Sequence, residues 1–546
     1  MPRKRQSKSN NTEASQYQQL ELNLEWDSII NSDSHKILTR EQVINNSYDP
    51  VEITAEYVRK IVASQKAWKS TLKKAREKLL TTNAKQLYLD FLLDIKHQIE
   101  ENSPKSPRLA RLLKQVAIRG LGMTKEQVKI YDPPKGSGQW RVDINTKLVE
   151  QHLESHIVGE NFLNLITADN TDWKRNLIIA SSDVSQHRSS VPTRARFFTR
   201  TVPFVLNNAV GAILRVKNGK AEFDLPRFNP QPDQELIRWM LIDPSYEDEL
   251  EPEDYQRCTA SAMDVGQYKF DHQYLLNADK DRPDIILRDG SLFPQDAYLD
   301  NFLIDNRRGE FTREAIRELL NCLHCARAYK TIYCGVSKNV QLKVYSAILD
   351  WYITKEIDPD WETGNYTLND GQMMTLLLGG YRFKKDLTET IATCLIRRSF
   401  TTRAALNEKA NLQALDSYFN RYEKIHDFNI SPYRELCNIF HVYMFFMGHS
   451  KSPSQLLPRY EFFHDASLGS ATSVAQKILT AIHYSGVFAD NEHSFSMSPD
   501  EEAIIYLIPR VTMQAHRESK NIGEYLTQHT KQLLMSRYKT FLSEIV

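Results

Sequence analysis

NLIIASSDVSQHRSS, residues 176–190, and PDIILRDGSLFP, residues 283–294, decide the fold. In each, a short apolar run leads to an aspartate, Asp183 in the first and Asp289 in the second, and polar residues follow. Apolar runs of this length, bounded by turn formers, read as strands buried on both faces. RFFTRTVPFVL (196–206) and AVGAILRV (209–216) between them read as further strands, with a hairpin signal at Asn218-Gly219. A helical pattern over roughly Ala260 to Ala278 precedes the second run. After it comes the helix TREAIRELLNCLHCARAYK (312–330), and then a third strand, TIYCGVSK, ending at Lys338. Strands in succession, then strands alternating with helices, predict an α/β fold built on a mixed sheet flanked by helices.

Outward from this centre the chain divides into five stretches. Residues 1–47 read as a polar, disordered tail with a basic start at Arg3, Lys4, Arg5 and Lys8. Residues 48–170 read as a helical N-terminal region, with AKQLYLDFLLDIKHQIEE stopped by Ser103-Pro104 and Ser106-Pro107. Residues 171–351 hold the first part of the α/β domain, 352–433 read as a helical insertion, and 434–546 complete the domain. In the last part IFHVYMFFMG and RYEFFHD carry strand character, and helix predominates from about Ala471.

Composition sets limits on function. Of 546 residues, 41% are hydrophobic and 25% charged, which suits a chain that buries a sizeable core. No apolar run approaches the ~18–20 residues of a membrane span, and no signal peptide is recognisable. Six cysteines are too few for a disulfide framework in so long a chain, so a cytoplasmic protein is expected. A net charge of +1 gives no bulk field for nucleic acid, so any such contact must be local. PPKGSGQW (133–140) lacks the Gly-Lys-Ser/Thr of a phosphate-binding loop and reads as a turn, which assigns any ATP-driven motor to another chain.

Two aspartates at strand ends are rigidly held and face solvent, the arrangement in which a sheet offers oxygen ligands to Mg²⁺ or Mn²⁺. Taken singly, each reads equally as a turn former. Arg188, Arg194, Arg196 and Arg200 cluster after Asp183, where they would either grip backbone phosphates or form a charged hairpin face. Cys322 and Cys325, flanking His324 in CLHC, sit inside a helix pattern with no second pair at zinc spacing and read as buried thiols. Glu461 in PRYEFF lies in a strand-like run, where it would either assist the site or, by default, be a sheet-edge charge.

IIASSDVSQHRSS, PDIILRDGSLFP, IYCGVSK and PRVTMQAHRES resemble, in that order, the motifs of the NurA nuclease family, across roughly residues 175–530. The resemblance implies a ribonuclease H-like fold and a Mn²⁺- or Mg²⁺-dependent DNA nuclease acting in end processing or repair. It also implies a homodimer that works with a HerA-type hexameric ATPase. By that match Asp183 and Asp289 are metal ligands, Lys338 contacts the scissile phosphate or orients water, and His516 is a late ligand or proton-transfer group. The chain departs from the pattern in reading Asp-Val-Ser where the family has Asp-Gly-Ser. The helix before Asp289 carries no glutamate, leaving Asp264 or Asp271 to take that role, and Tyr506 matches the family tyrosine only approximately. The missing glutamate supports an alternative: a catalytically weak interaction protein that regulates a ring ATPase. A guide-dependent ribonuclease H-like enzyme, similar to the PIWI domain of Argonaute proteins, ranks third for want of a guide-end motif.

Overall fold

The computed structural model describes residues 70–545 except 102–104, 132, 134–139, 169–175, 196–197, 218–219, 225–236, 243–251, 279–281, 295–306, 339, 341, 362–367, 379–388, 401–430, 449–454, 486–504 and 507–508. The basic tail, most of PPKGSGQW, Arg196 and the Asn218-Gly219 pair therefore lie outside the described residues.

The fold is α/β, organised on a ten-stranded mixed sheet. Its strands are β1 (Ile157–Thr167), β2 (Asn176–Ala195), β3 (Phe198–Lys217), β4 (Lys220–Asp224), β5 (Ile237–Ile242), β6 (Ile285–Asp289), β7 (Ile332–Ser337), β8 (Glu389–Ser399), β9 (His441–Phe445) and β10 (Arg459–Phe463). Across the sheet they run β1-β8-β9-β10-β7-β6-β2-β3-β4, with β5 also pairing β3. The neighbours β2, β6 and β7 are parallel, and the other pairings are antiparallel. Parallel neighbours need crossovers. Helix α4 (Pro252–Phe270) precedes β6, and α5 (Arg307–Tyr329) links β6 to β7. The N-terminal helices α1 (Ala84–Glu100), α2 (Ser106–Leu113) and α3 (Thr146–His156) come before β1, after a further helix over residues 70–79. Helices α6 (Tyr345–Glu356), α7 (Asp370–Leu378), α8 (Ser431–Ile439), α9 (Ala471–Ser485) and α10 (Arg510–Ile545) follow.

Alternation along the central strands sends their side chains into two cores. Ala180, Ile286 and Tyr333 pack with Val265, Leu319 and Leu436 of α4, α5 and α8. Ile179, Ile285, Leu287 and Val336 face the other way, against Ile478 of α9 and Val511 and Ala515 of α10. A third core joins Leu92 and Ile95 of α1 to Ile348 of α6, Met374 of α7 and Ile391 of β8. No helix among the described residues is long and apolar enough to cross a membrane.

Three expectations need correction. The first strand does not end at Asp183: β2 runs on to Ala195, paired with β3 throughout, including Ser189↔Phe204 and Arg194↔Thr199. A two-stranded ribbon satisfies its own inner backbone groups, so polar residues continue it without burial. The 352–433 stretch is not wholly helical, because ETIATCLIRRS is β8, inserted between β1 and β9. Nor is 48–170 a purely helical extension. It ends in β1, at the sheet's edge, and its helices share the third core with α6 and α7.

Candidate metal centre

The β2–β6 ladder comprises Ile179↔Ile285 and Ala180↔Ile286. Asp183 and Asp289 each lie three residues past the last pair, so the ladder's own register sets them opposite one another on the α10 side. From that side Ser181 donates to the carbonyl of Leu287, joining the strands by a side chain beyond the ladder. On β7, Val336 pairs with Asp289, and Lys338 follows the strand's end. Gly335 lets the turn after Asp289 lie across β7, for a Cβ there would come within 2.6 Å of the Gly290 carbonyl.

Helix α10 supplies the remaining member. Nδ1 of His516 lies 2.9 Å from Oδ2 of Asp183 and 3.3 Å from Oδ2 of Asp289. Nζ of Lys338 is 2.5 Å from Oδ2 of Asp289. Ser519, one helical turn after His516, donates to Oδ2 of Asp183 at 2.5 Å. Its backbone carbonyl accepts from Ser185 at 2.7 Å and from Asn208 at 3.0 Å, which seats α10 on the β2–β3 ribbon. Gly523 permits that close approach: a Cβ would sit 2.0 Å from Nε2 of His187.

Electrostatics follow from this packing. The Asp183 and Asp289 side chains are each 8% exposed. Burial pushes the Asp289 carboxyl up, but the Lys338 charge and the bond from His516 outweigh it and hold its pKa at about 2. Burial likewise opposes the charge on His516, yet its bonds to Asp183 and Asp289 prevail and raise it to about 9. Near neutrality the imidazole is therefore a cation lodged between two carboxylates, with an ammonium beside them.

One ligand atom each from Asp183, Asp289 and His516 can be chosen so that all lie within 4.8 Å of one another, the one such group of acids, histidines and cysteines among the described residues. Two carboxylate oxygens and an imidazole nitrogen are a donor set that Mg²⁺ or Mn²⁺ accepts, the nitrogen favouring Mn²⁺ of the two. The proton now shared at Nδ1 occupies a place that such a cation would take, so the residues fit a divalent ion.

The other expected residues are elsewhere. Asp264 and Asp271 face the opposite side of the sheet, where the buried Arg288 guanidinium lies 3.4 Å from Asp264 and 3.9 Å from Asp271. Tyr333 also donates to Asp271 at 2.6 Å. Neither aspartate joins the ligand group, because Arg288 and Asp289 are successive strand residues and point to opposite faces. Arg188, on the ribbon, donates to Gln186 at 3.2 Å. Arg194 and Arg200 lie farther out, where Arg194 pairs with Thr199 and Thr193 with Arg200. Tyr506 pairs with Leu456 in a short separate sheet. In CLHC, Cys322 donates to the carbonyl of Tyr268, Cys325 to Asn277, and His324 pairs with Glu435, so the motif gathers no zinc site.

Of the supports, sequence reasoning raised Glu461 only as the alternative to a sheet-edge charge, a default corrected by the interior position of β10. Glu461, fully buried beside Arg459, accepts from the Ser291 hydroxyl at 2.8 Å and the Leu292 amide at 3.0 Å, and so holds the turn that presents Asp289. Ser519 was visible only as a hydroxyl three residues after His516, the spacing that puts both on one helix face.

The sheet and its acid–imidazole cluster define an α/β protein with a candidate metal centre just past the end of a parallel ladder. Compared with known proteins, the chain matches no family model and no curated protein.

Proposed function

We propose that this chain is a divalent-metal-dependent deoxyribonuclease with a ribonuclease H-like core, of the NurA type. The observation that carries the reading is the meeting of Asp183, Asp289 and His516, with Lys338 bound to Asp289, on three neighbouring elements far apart in sequence. Support for the core comes from the strand order β4-β3-β2-β6-β7, an antiparallel meander whose first strand continues into two parallel ones. DNA end processing, a homodimer and a separate HerA-type hexameric ATPase rest on the motif resemblance.

Asp183 and Asp289 would hold a Mn²⁺ or Mg²⁺ ion, with His516 completing the set once its Nδ1 proton has left. Such an ion supplies Lewis acidity towards a phosphodiester oxygen and an attacking water. Lys338 would supply a partly buried positive charge where negative charge would develop on the phosphate, and Asp289 keeps its ammonium in place. Ser519 fixes the rotamer of Asp183. The β2–β3 ribbon, carrying Arg188, Arg194 and Arg200, offers a route for the phosphate backbone beyond the centre.

Cleavage of linear DNA by purified protein, with and without Mn²⁺, tests the proposal. Asp183→Asn and Asp289→Asn should each lower the rate by orders of magnitude while the fold melts cooperatively. Undiminished cleavage by the double variant excludes it. One observation favours the alternative of a catalytically weak regulator of a ring ATPase: neither helix α4 nor the π-helical turn after it (Asp271–Leu276) gives the centre a carboxylate, since Arg288 holds Asp264 and Asp271 on the far face. Absence of metal-stimulated cleavage by wild-type protein, with binding to such an ATPase retained, would establish that alternative.

A further inference from the structure

We infer that Gln267 is a positioning residue for the candidate centre, its side-chain amide clipping β2 to β6 just past their ladder and so fixing the separation of Asp183 and Asp289. The last backbone pair is Ala180↔Ile286, and the two aspartates lie three residues beyond it. Beyond the ladder, side chains join the two strands: Ser181 at the Leu287 carbonyl on the α10 side, and Gln267 on the α4 side. Nε2 of Gln267 is 3.1 Å from the Ser182 carbonyl, on β2, and 3.2 Å from the Asp289 carbonyl, on β6. It is also 3.3 Å from the Ser182 hydroxyl.

The chemistry of the neighbours fixes which way the amide points. Both carbonyls can only accept, so they require the NH₂ end. On the other side Nη2 of Arg288, which can only donate, is 2.9 Å from Oε1. Arg288 is itself braced by the Ser291 carbonyl at 3.0 Å and by a stack on Tyr268, Cζ lying 4.0 Å from the ring centre. Gln267 is 3% exposed and Arg288 2%, so water does not compete for these bonds. An ionised glutamate of the same length would turn an acceptor towards two carbonyls and push the strands apart. Helix α4 thus contributes the spacing of the ligands and not a ligand, which accounts for an amide in a helix where the resemblance leads one to expect an acid.

The inference rests on the metal-centre reading, and Mn²⁺ titration of the full-length chain by electron paramagnetic resonance separates the two. Gln267→Met keeps length and packing but removes both donors. It should weaken Mn²⁺ binding about 10- to 100-fold, in the range for supports of metal ligands, with a cooperative melt retained. Gln267→Glu should bind more weakly than Gln267→Met near neutral pH. A role in packing alone predicts instead that Gln267→Met binds as wild type does. If Gln267→Met does not fold, Gln267→Asn takes its place: it keeps the amide on an arm too short to span both strands, and unchanged affinity overturns the clip. Loss of binding in Asp183→Asn with wild-type affinity in Gln267→Met refutes the clip and leaves the centre standing. A wild-type chain that binds no Mn²⁺ refutes both.

Discussion

Nδ1 of His516 lies 2.9 Å from Oδ2 of Asp183, although 333 residues separate them in the chain. Helix α10 reaches Asp183 within β2 because it is seated on the ribbon, and this bond together with the one to Asp289 keeps the imidazole protonated.

The first prediction concerns pH. A histidine in an unfolded chain titrates near 6.5, whereas His516 does so at about 9. Below pH 6.5 both states hold the proton and the stabilisation is fully present. From 6.5 to 9 only the folded chain keeps it, so stability falls as pH rises, and the contribution is gone above 9. In chelator, the melting temperature of wild type should therefore drop over that interval by more than that of His516→Gln. Mn²⁺ must displace the same proton, so its affinity should rise from pH 7 to 9, with proton release seen by calorimetry in buffers of differing ionisation heat.

Lys338 is held by Asp289 and is 19% exposed in its side chain. Lys338→Met removes a fixed positive charge without touching a ligand atom. Single-turnover cleavage at saturating Mn²⁺ should slow about 10²- to 10³-fold. Mn²⁺ affinity should stay the same or improve, since a competing cation has gone.

Gly523 separates packing from intrinsic preference. In an open helix, Gly→Ala stabilises by about 1 kcal/mol. Here the new methyl meets His187 at 2.0 Å and Asn208 at 2.7 Å, and moving His187 breaks its bond to Ser185. Overpacking typically costs ~1–3 kcal/mol, so Gly523→Ala should lower the melting temperature. Mn²⁺ binding should weaken as well, because α10 carries His516 and Ser519.

Arg288 belongs to the other face and should betray itself through stability. Burial, only partly offset by Arg288 and by bonds from Ser182 and Tyr333, already lifts Asp271 to about 6. Arg288→Met leaves Asp264 and Asp271 without their cation, and breaking such a buried pair costs about 3–5 kcal/mol. Urea denaturation should show that loss, reduced at pH 5, where Asp271 can be neutral.

Asp183, Asp289 and Lys338 were legible in the sequence because each follows an apolar run, whereas His516 came only from the motif resemblance, since its helix pattern alone reads it as facing solvent. Asp183, Asp289, Lys338 and His516 all come together. The length of β2 was not legible, since a ribbon paired within itself needs no burial and leaves no hydrophobic pattern beyond Asp183. ETIATCLIRRS was lost for a different reason. It is buried on both faces from Thr390 to Ile396, so it shows no alternation to distinguish strand from helix. Asp264 and Asp271 were chosen by residue type alone. Which side of the sheet a helix covers is a property of the crossover, and no local spacing in α4 reveals it. Gln267, Glu461 and Ser519 act through carbonyls, amides and carboxylates brought in from other elements, a role that composition does not mark.

The central claim is that Asp183, Asp289 and His516 together hold one divalent cation. Anomalous scattering from crystals of the full chain soaked in Mn²⁺ tests it most directly. The account predicts a peak about 2.0–2.6 Å from a carboxylate oxygen of each aspartate, with the His516 ring in the ligand shell, absent from Asp183→Asn crystals. A map with no peak between the two aspartates, and Lys338 and His516 still paired with them at saturating Mn²⁺, would contradict it.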